Sequence, residues 1–117
     1  MLNPATRLCP NRDELAAEIL DGEAIIINLA TGSYYSMADA AAAIWQGVER
    51  HCSLEEIAAG VAAAYDVPLE QARRDVAEIA ERLLAENLAL LSDTTASLGE
   101  APPAPASRAP YATPVLN

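Results

Sequence analysis

The run Glu23-Ala-Ile-Ile-Ile-Asn28, followed by Ala30-Thr31-Gly32 and then Ser33-Tyr34-Tyr35-Ser36-Met37, decides how this chain folds. Three consecutive β-branched residues, Ile25 to Ile27, are restricted in a helix and pack well on a pleated surface. The first segment therefore reads as a strand, with Ile25, Ile27 and Leu29 on one face and Ala24, Ile26 and Asn28 on the other. Thr31-Gly32 turns the chain, and Ser33–Met37 returns as the next strand. Met37 leads straight into an Ala-rich helix, so Tyr35 and Met37 are assigned to the core side. The opposite face, Tyr34 and Ser36, is polar and suits the edge of a sheet.

Upstream, Leu15–Leu20 is too short for periodicity to separate helix from strand. The Asp21-Gly22 that follows is a hairpin signal ahead of a clear strand, so Leu15–Leu20 is read as the first strand. Downstream, a helix is expected from about Ala38 to Glu49, with Ile44 and Val48 on one stripe and Trp45 beside them. Ser53-Leu-Glu-Glu56 has the form of a capping box opening a second helix that carries Leu54, Ile57, Val61 and Ala64/Tyr65. Asp66-Val67-Pro68 separates it from a third helix reaching about Asn87, with Ala72, Val76, Ile79, Leu83 and Leu84 as its apolar stripe. Asn87 reads as a C-terminal cap and Leu88–Leu91 as a short last strand. The expected fold is α+β and winged-helix-like: a three-stranded antiparallel N-terminal sheet, three helices and a flexible C-terminal tail.

The totals narrow the function. A chain of 117 residues holds one domain at most, and its 52% hydrophobic content is largely Ala. Phe is absent, so the single Trp45 is the dominant core side chain, with truncation costing roughly 3–5 kcal/mol. Seventeen acids face seven bases, all Arg, for a net charge of −10. Such a surface repels nucleic-acid phosphates and anionic membranes alike. Cys9 and Cys52 lie far apart without CxxC spacing and read as free thiols of a reducing cytosol. One histidine, His51, and two scattered cysteines do not make a four-ligand zinc set, so no metal and no cofactor are expected. Arg7, Arg12 and Asp13 interrupt any signal-peptide core after Met1, and no apolar run approaches membrane length. The expected location is cytoplasmic.

Several of these segments together carry a resemblance. Gly22-Glu-Ala-Ile-Ile-Ile-Asn-Leu29, Thr31-Gly-Ser-Tyr-Tyr-Ser-Met37, Ala43-Ile-Trp45, Ser53-Leu-Glu-Glu-Ile57, Tyr65-Asp-Val67 and Arg74-Asp-Val76 ahead of Leu83-Leu84 follow one another as in the PqqD-like family. These small domains are also called RiPP recognition elements. The resemblance covers roughly Leu8 to Leu91; Asn87 stands where the family usually has Gly. It implies a domain over 1–91 that binds the leader of a ribosomally made precursor peptide and delivers it to a modifying enzyme. The leader adds as a strand beside the third strand, against the third helix. Carried onto this chain, the groove residues are Ser33, Tyr34, Tyr35, Ser36 and Met37, with Arg73, Arg74, Ala77, Glu78, Glu81 and Arg82 from the helix.

Each has a plainer alternative. Tyr34 is equally an exposed aromatic on an edge strand, and Glu70/Arg74 and Glu78/Arg82 are i,i+4 pairs of a solvated face. Asp75 and Glu78 are paired carboxylates by spacing, yet on an exposed helix they read as solvated. No Ser/His/Asp grouping or phosphate loop indicates catalysis, so no catalytic residue is assigned. The alternative function is a winged-helix DNA-binding regulator, but its helix three has three Arg against five acids from Glu70 to Glu86.

Residues 92–110 are rich in Pro, Ala, Ser and Thr and read as a flexible to semi-extended linker. About nineteen such residues reach roughly 24 Å. Beyond them, in 111–117, Tyr111-Ala-Thr-Pro114-Val-Leu116 resembles the Tyr-x-x-Pro-x-Leu pattern of lasso-type leader peptides; in a Pro-rich tail the match is also explicable by chance. Its Pro fixes an extended backbone between an aromatic and an aliphatic anchor. The tail either fills its own groove, fills that of a neighbouring copy in a tail-swapped association, or is an address for another recognition domain. The expected partners are a precursor leader peptide and a peptide-modifying enzyme, a protease or cyclase. The end after Asn117 reads as a truncation.

Overall fold

The computed structural model describes residues 5–11, 13–20, 23–92 and, in the tail, Tyr111, Pro114 and Leu116. The expected hairpin turn at Asp21-Gly22 lies outside the described residues, as does the expected linker 92–110 apart from Ser92, whose amide donates to Arg7 O at 2.8 Å. Five strands and three helices are present among them: β1 (Leu8–Pro10), β2 (Leu15–Leu20), β3 (Glu23–Asn28), β4 (Tyr34–Ala38), α1 (Ala40–Glu49), α2 (Leu54–Ala64), α3 (Leu69–Ala85) and β5 (Ala89–Leu91).

The main sheet has the order β2-β3-β4 and is antiparallel throughout, as the β-branched run and its two turns imply. Leu15 lies opposite Asn28 and Leu20 opposite Glu23, while Ile27 lies opposite Tyr34 and Glu23 opposite Ala38. Ala24, Ile26 and Met37 are buried beneath the helices. The other face leaves Leu20, Ile27 and Tyr34 exposed.

The turn between β3 and β4 is built by Asn28. Its buried side-chain oxygen accepts from the amides of Ala30 at 2.9 Å and Thr31 at 3.2 Å. Gly32 then takes φ 78°, a region open to glycine without a Cβ penalty.

The expected third strand, Ser33–Met37, is observed one residue later. Helix α1 starts at Ala40 rather than Ala38, because Asp39 adopts φ 54°, ψ −121° and breaks the helical run. Helix α2 opens with the full capping box: Ser53 Oγ accepts from the Glu56 amide at 3.1 Å, and Glu56 Oε1 accepts from the Ser53 amide at 2.9 Å. Helix α3 closes on Asn87 at φ 60°, whose amide donates to Leu84 O while Leu88 donates to Leu83 O at 2.9 Å. This left-handed cap is one that Asn tolerates well, so the absence of Gly there does not disturb the end of the helix.

A second, two-stranded sheet pairs β1 with β5, Leu8 lying opposite Leu91. The sequence signals only the last strand; its partner β1 carries too few residues, one of them Pro10, to signal itself. Trp45, Ile44, Val48, Leu8, Ile26, Met37, Val76 and Leu83 form the centre of the core, all fully buried. The indole Nε1 of Trp45 meets no acceptor among the described residues. Among the described residues no helix is long and apolar enough to cross a membrane.

Candidate functional site

Strand β4 is one edge of the main sheet, and the ladder itself says which of its groups face outward. The Asn28 amide donates to Ser33 O at 2.7 Å. Antiparallel pairs alternate between bonded and non-bonded. Ile26–Tyr35 and Ala24–Met37 are therefore the bonded pairs, and the backbone groups of Tyr34, Ser36 and Ala38 point to the open edge. Side chains alternate in the same way, so Tyr35 and Met37 turn under the sheet while Tyr34, 76% exposed, stands on its outer face. As a side chain Tyr34 lies away from the helix; its backbone remains at the edge.

One stripe of α3 carries Asp75, Ile79, Arg82 and the capping Glu86, at helical spacings of four, three and four. The Tyr35 hydroxyl donates to Glu86 Oε2 at 3.4 Å, linking β4 to the end of α3. Burial, then the neighbouring Glu86 carboxylate, raises the Tyr35 phenol above its usual pKa; Arg82 works in the opposite direction.

At the other end of the stripe sit Asp75 and Tyr65, the residue that closes α2. Tyr65 is raised too, first by burial and then by the charge of Asp39, which follows β4 directly. Tyr111 comes to this place from the tail: its ring meets Tyr65 edge-on at 6.3 Å and 70°, and its hydroxyl donates to Asp75 Oδ2. Burial, then the bond to Asp75 and its charge, raises the Tyr111 phenol strongly. Pro114 and Leu116 are buried, Leu116 among the core side chains.

Of the expected set, Tyr35 bonds to Glu86 and lies within the electrostatic reach of Arg82, while Met37 is fully buried in the core. Ser33 is exposed and Ser36 half-buried on the outer sheet face. Arg73 turns instead onto α2, where its guanidinium makes two bonds to Glu55 at 2.9 and 2.7 Å. That pairing lowers the Glu55 carboxyl and raises Arg73. Ala77 is buried, and Arg74, Glu78 and Glu81 are exposed on α3. The sequence reading misses Tyr65 and Glu86 and sets Asp75 aside as solvated. Their signal is present in the phase of the stripe: Ile79 is apolar and buried, and Asp75, Arg82 and Glu86 stand four residues before it and three and seven after it.

An α+β domain with a three-stranded antiparallel sheet on three helices, its edge strand tied to the end of α3 by Tyr35 and Glu86, is the class that these elements define. The chain belongs to the family described as coenzyme PQQ synthesis protein D (PqqD), which matches residues 23–89. Among solved structures it is similar to TbiB1 in complex with the TbiA(beta) leader peptide, at 26% identity and a TM-score of 0.62, over 70% of this chain and 93% of that one. It is also similar to lasso peptide synthetase B1 complexed with the leader peptide, at 27% identity and a TM-score of 0.62, over 74% and 98% respectively. No match is found among curated proteins.

Proposed function

We propose that this protein is a non-catalytic adaptor that captures the leader segment of a ribosomally made precursor peptide and delivers it to a modifying enzyme, in lasso-type maturation. The leader adds as a strand along β4, bonding to the outward backbone groups of Tyr34, Ser36 and Ala38. The side chains of Tyr35 and Arg82 stand beside it. The observation that carries this reading is that the outer edge of β4 has no strand partner among the described residues, while Tyr35 of the same strand is tied to Glu86 at the end of α3. Support comes from the two similar proteins, each solved with a leader peptide bound. Main-chain bonds of an added strand supply affinity, and the pockets between β4 and α3 supply selectivity.

The test is amide exchange of the protein with and without a synthetic leader peptide carrying Tyr-x-x-Pro-x-Leu. Strand addition protects the amides of Tyr34, Ser36 and Ala38 selectively, because those of Tyr35 and Met37 are already bonded to β3. Protection elsewhere, with β4 unchanged, overturns the proposal.

A further inference from the structure

The geometry points to residues 111–116 as a tethered ligand of the protein's own cleft, held in cis at Tyr65 and Asp75, which an external peptide must displace. The inference rests on the reading of the cleft as a peptide site. What carries it is the placement of three residues from one short segment. Tyr111 packs edge-on against Tyr65 and bonds to Asp75; Pro114 is buried; Leu116 is 7% exposed among core side chains. A segment with no place on the domain would leave an aromatic and an aliphatic side chain in water, whereas each of these has a partner surface. A phenol donating to a carboxylate at a half-buried site is also a charge-assisted bond, stronger than a neutral one.

The contact shares the α3 stripe that is tied to β4. Asp75 belongs to the same α3 stripe as Glu86, which holds Tyr35 of β4. Tyr65 lies within the electrostatic reach of Asp39, the residue after β4. A peptide running along Tyr34–Ala38 therefore arrives where Tyr111 already sits.

Residues 93–110 join the segment to the domain, and a tether of that order gives an effective concentration on the order of millimolar. A tail with an intrinsic dissociation constant of about 0.1 mM would then weaken the apparent affinity of an external peptide about tenfold. The tail acts as a threshold: weak peptides are excluded and tight ones displace it.

Full-length protein and its Tyr111→Ala/Leu116→Ala variant are titrated by fluorescence anisotropy with two labelled probes. One is a synthetic peptide of the chain's own 111–117 sequence; the other is the Tyr-x-x-Pro-x-Leu leader peptide. Trp45 fluorescence reports that both proteins are folded. The variant is expected to bind the own-sequence probe about tenfold more tightly than the intact chain, and Asp75→Asn in the variant background weakens that binding. Equal binding by intact chain and variant, or none by either, overturns the inference. A variant that binds the own-sequence probe but not the leader leaves the tail inference standing and removes the leader reading. Leader binding that is the same with and without the substitutions does the reverse. The Tyr65 and Asp75 resonances of the intact chain are expected to be independent of protein concentration; concentration dependence places the tail on a neighbouring copy and overturns the cis arrangement.

Discussion

Tyr35 and Glu86, 51 positions apart, are joined by a hydroxyl-to-carboxylate bond of 3.4 Å that ties the edge strand to the cap of α3. Asp75, at the other end of the same α3 stripe, bonds to Tyr111 beside Tyr65. Tyr35→Phe is expected to cost about 0.5–1 kcal/mol, since the bond is long and only half-buried. The phenol's pKa is raised in the folded state. Its contribution is thus fully present below the ordinary phenol value of about 10 and fades as pH rises through the folded value. Urea melts of wild type and Tyr35→Phe should converge on the alkaline side and differ at neutral pH; a constant difference up to high pH contradicts the assignment.

Ser36 tests the edge. Its amide points away from β3, so Ser36→Pro removes an outward donor and spares the sheet ladder. Leader affinity should fall about tenfold or more, with a small shift in melting temperature. Tyr35→Pro, which breaks a ladder bond, should instead lower stability strongly. Calorimetric titration and thermal melting of the two variants separate these cases.

Arg73 tests the helix phase. Its guanidinium is engaged with Glu55 of α2, outside the cleft. Arg73→Ala should leave leader affinity within roughly twofold of wild type, as expected for an exposed pair remote from the peptide. Arg82→Ala, on the stripe facing Tyr35, should weaken it several-fold. The opposite ranking in a binding assay would mean that α3 turns its Arg73 face, not its Arg82 face, toward the peptide.

At Gly47, α1 lies close against Ile57 of α2. A Cβ on Gly47 would lie 2.6 Å from Ile57 Cγ1, in the middle of a stiff β-branched side chain. Overpacking of about 1–3 kcal/mol exceeds the gain of about 1 kcal/mol in helix propensity. Gly47→Ala should therefore be net destabilising, and less so in an Ile57→Ala background. A double-mutant cycle by urea unfolding checks this; strict additivity would contradict the contact.

Asp39 holds φ 54°, ψ −121° between β4 and α1 and caps no helix amide with its side chain. Asp39→Gly should relieve the strain and stabilise the fold by about 1 kcal/mol. The same change lowers the Tyr65 phenol, because the nearby charge is lost. Denaturant unfolding and an ultraviolet tyrosine titration follow the two effects.

The amino-acid sequence by itself determined the elements. Ile25–Ile27 specifies a strand through β-branching, Ser53–Glu56 a helix start through reciprocal capping, and Asn87 a helix end through its tolerance of positive φ. These signals act over a few residues, so a single chain displays them. The tertiary structure alone decided which elements meet. Three-residue β1, containing Pro10, gains its place by pairing with β5 at the far end of the domain and by burying Leu8 in the core, contacts that local preference does not encode. The rotation of α3 was likewise set by packing: burial of Val76, Ile79 and Leu83 in the core turns Arg73 to Glu55 and brings Glu86 to Tyr35 of β4. A step of one residue turns a helix by about 100°, so packing, not local sequence, fixes which side chains meet β4. The tail's pattern was legible as a pattern; its contact with Tyr65 and Asp75 exists only because the folded domain holds both side chains within reach of Tyr111.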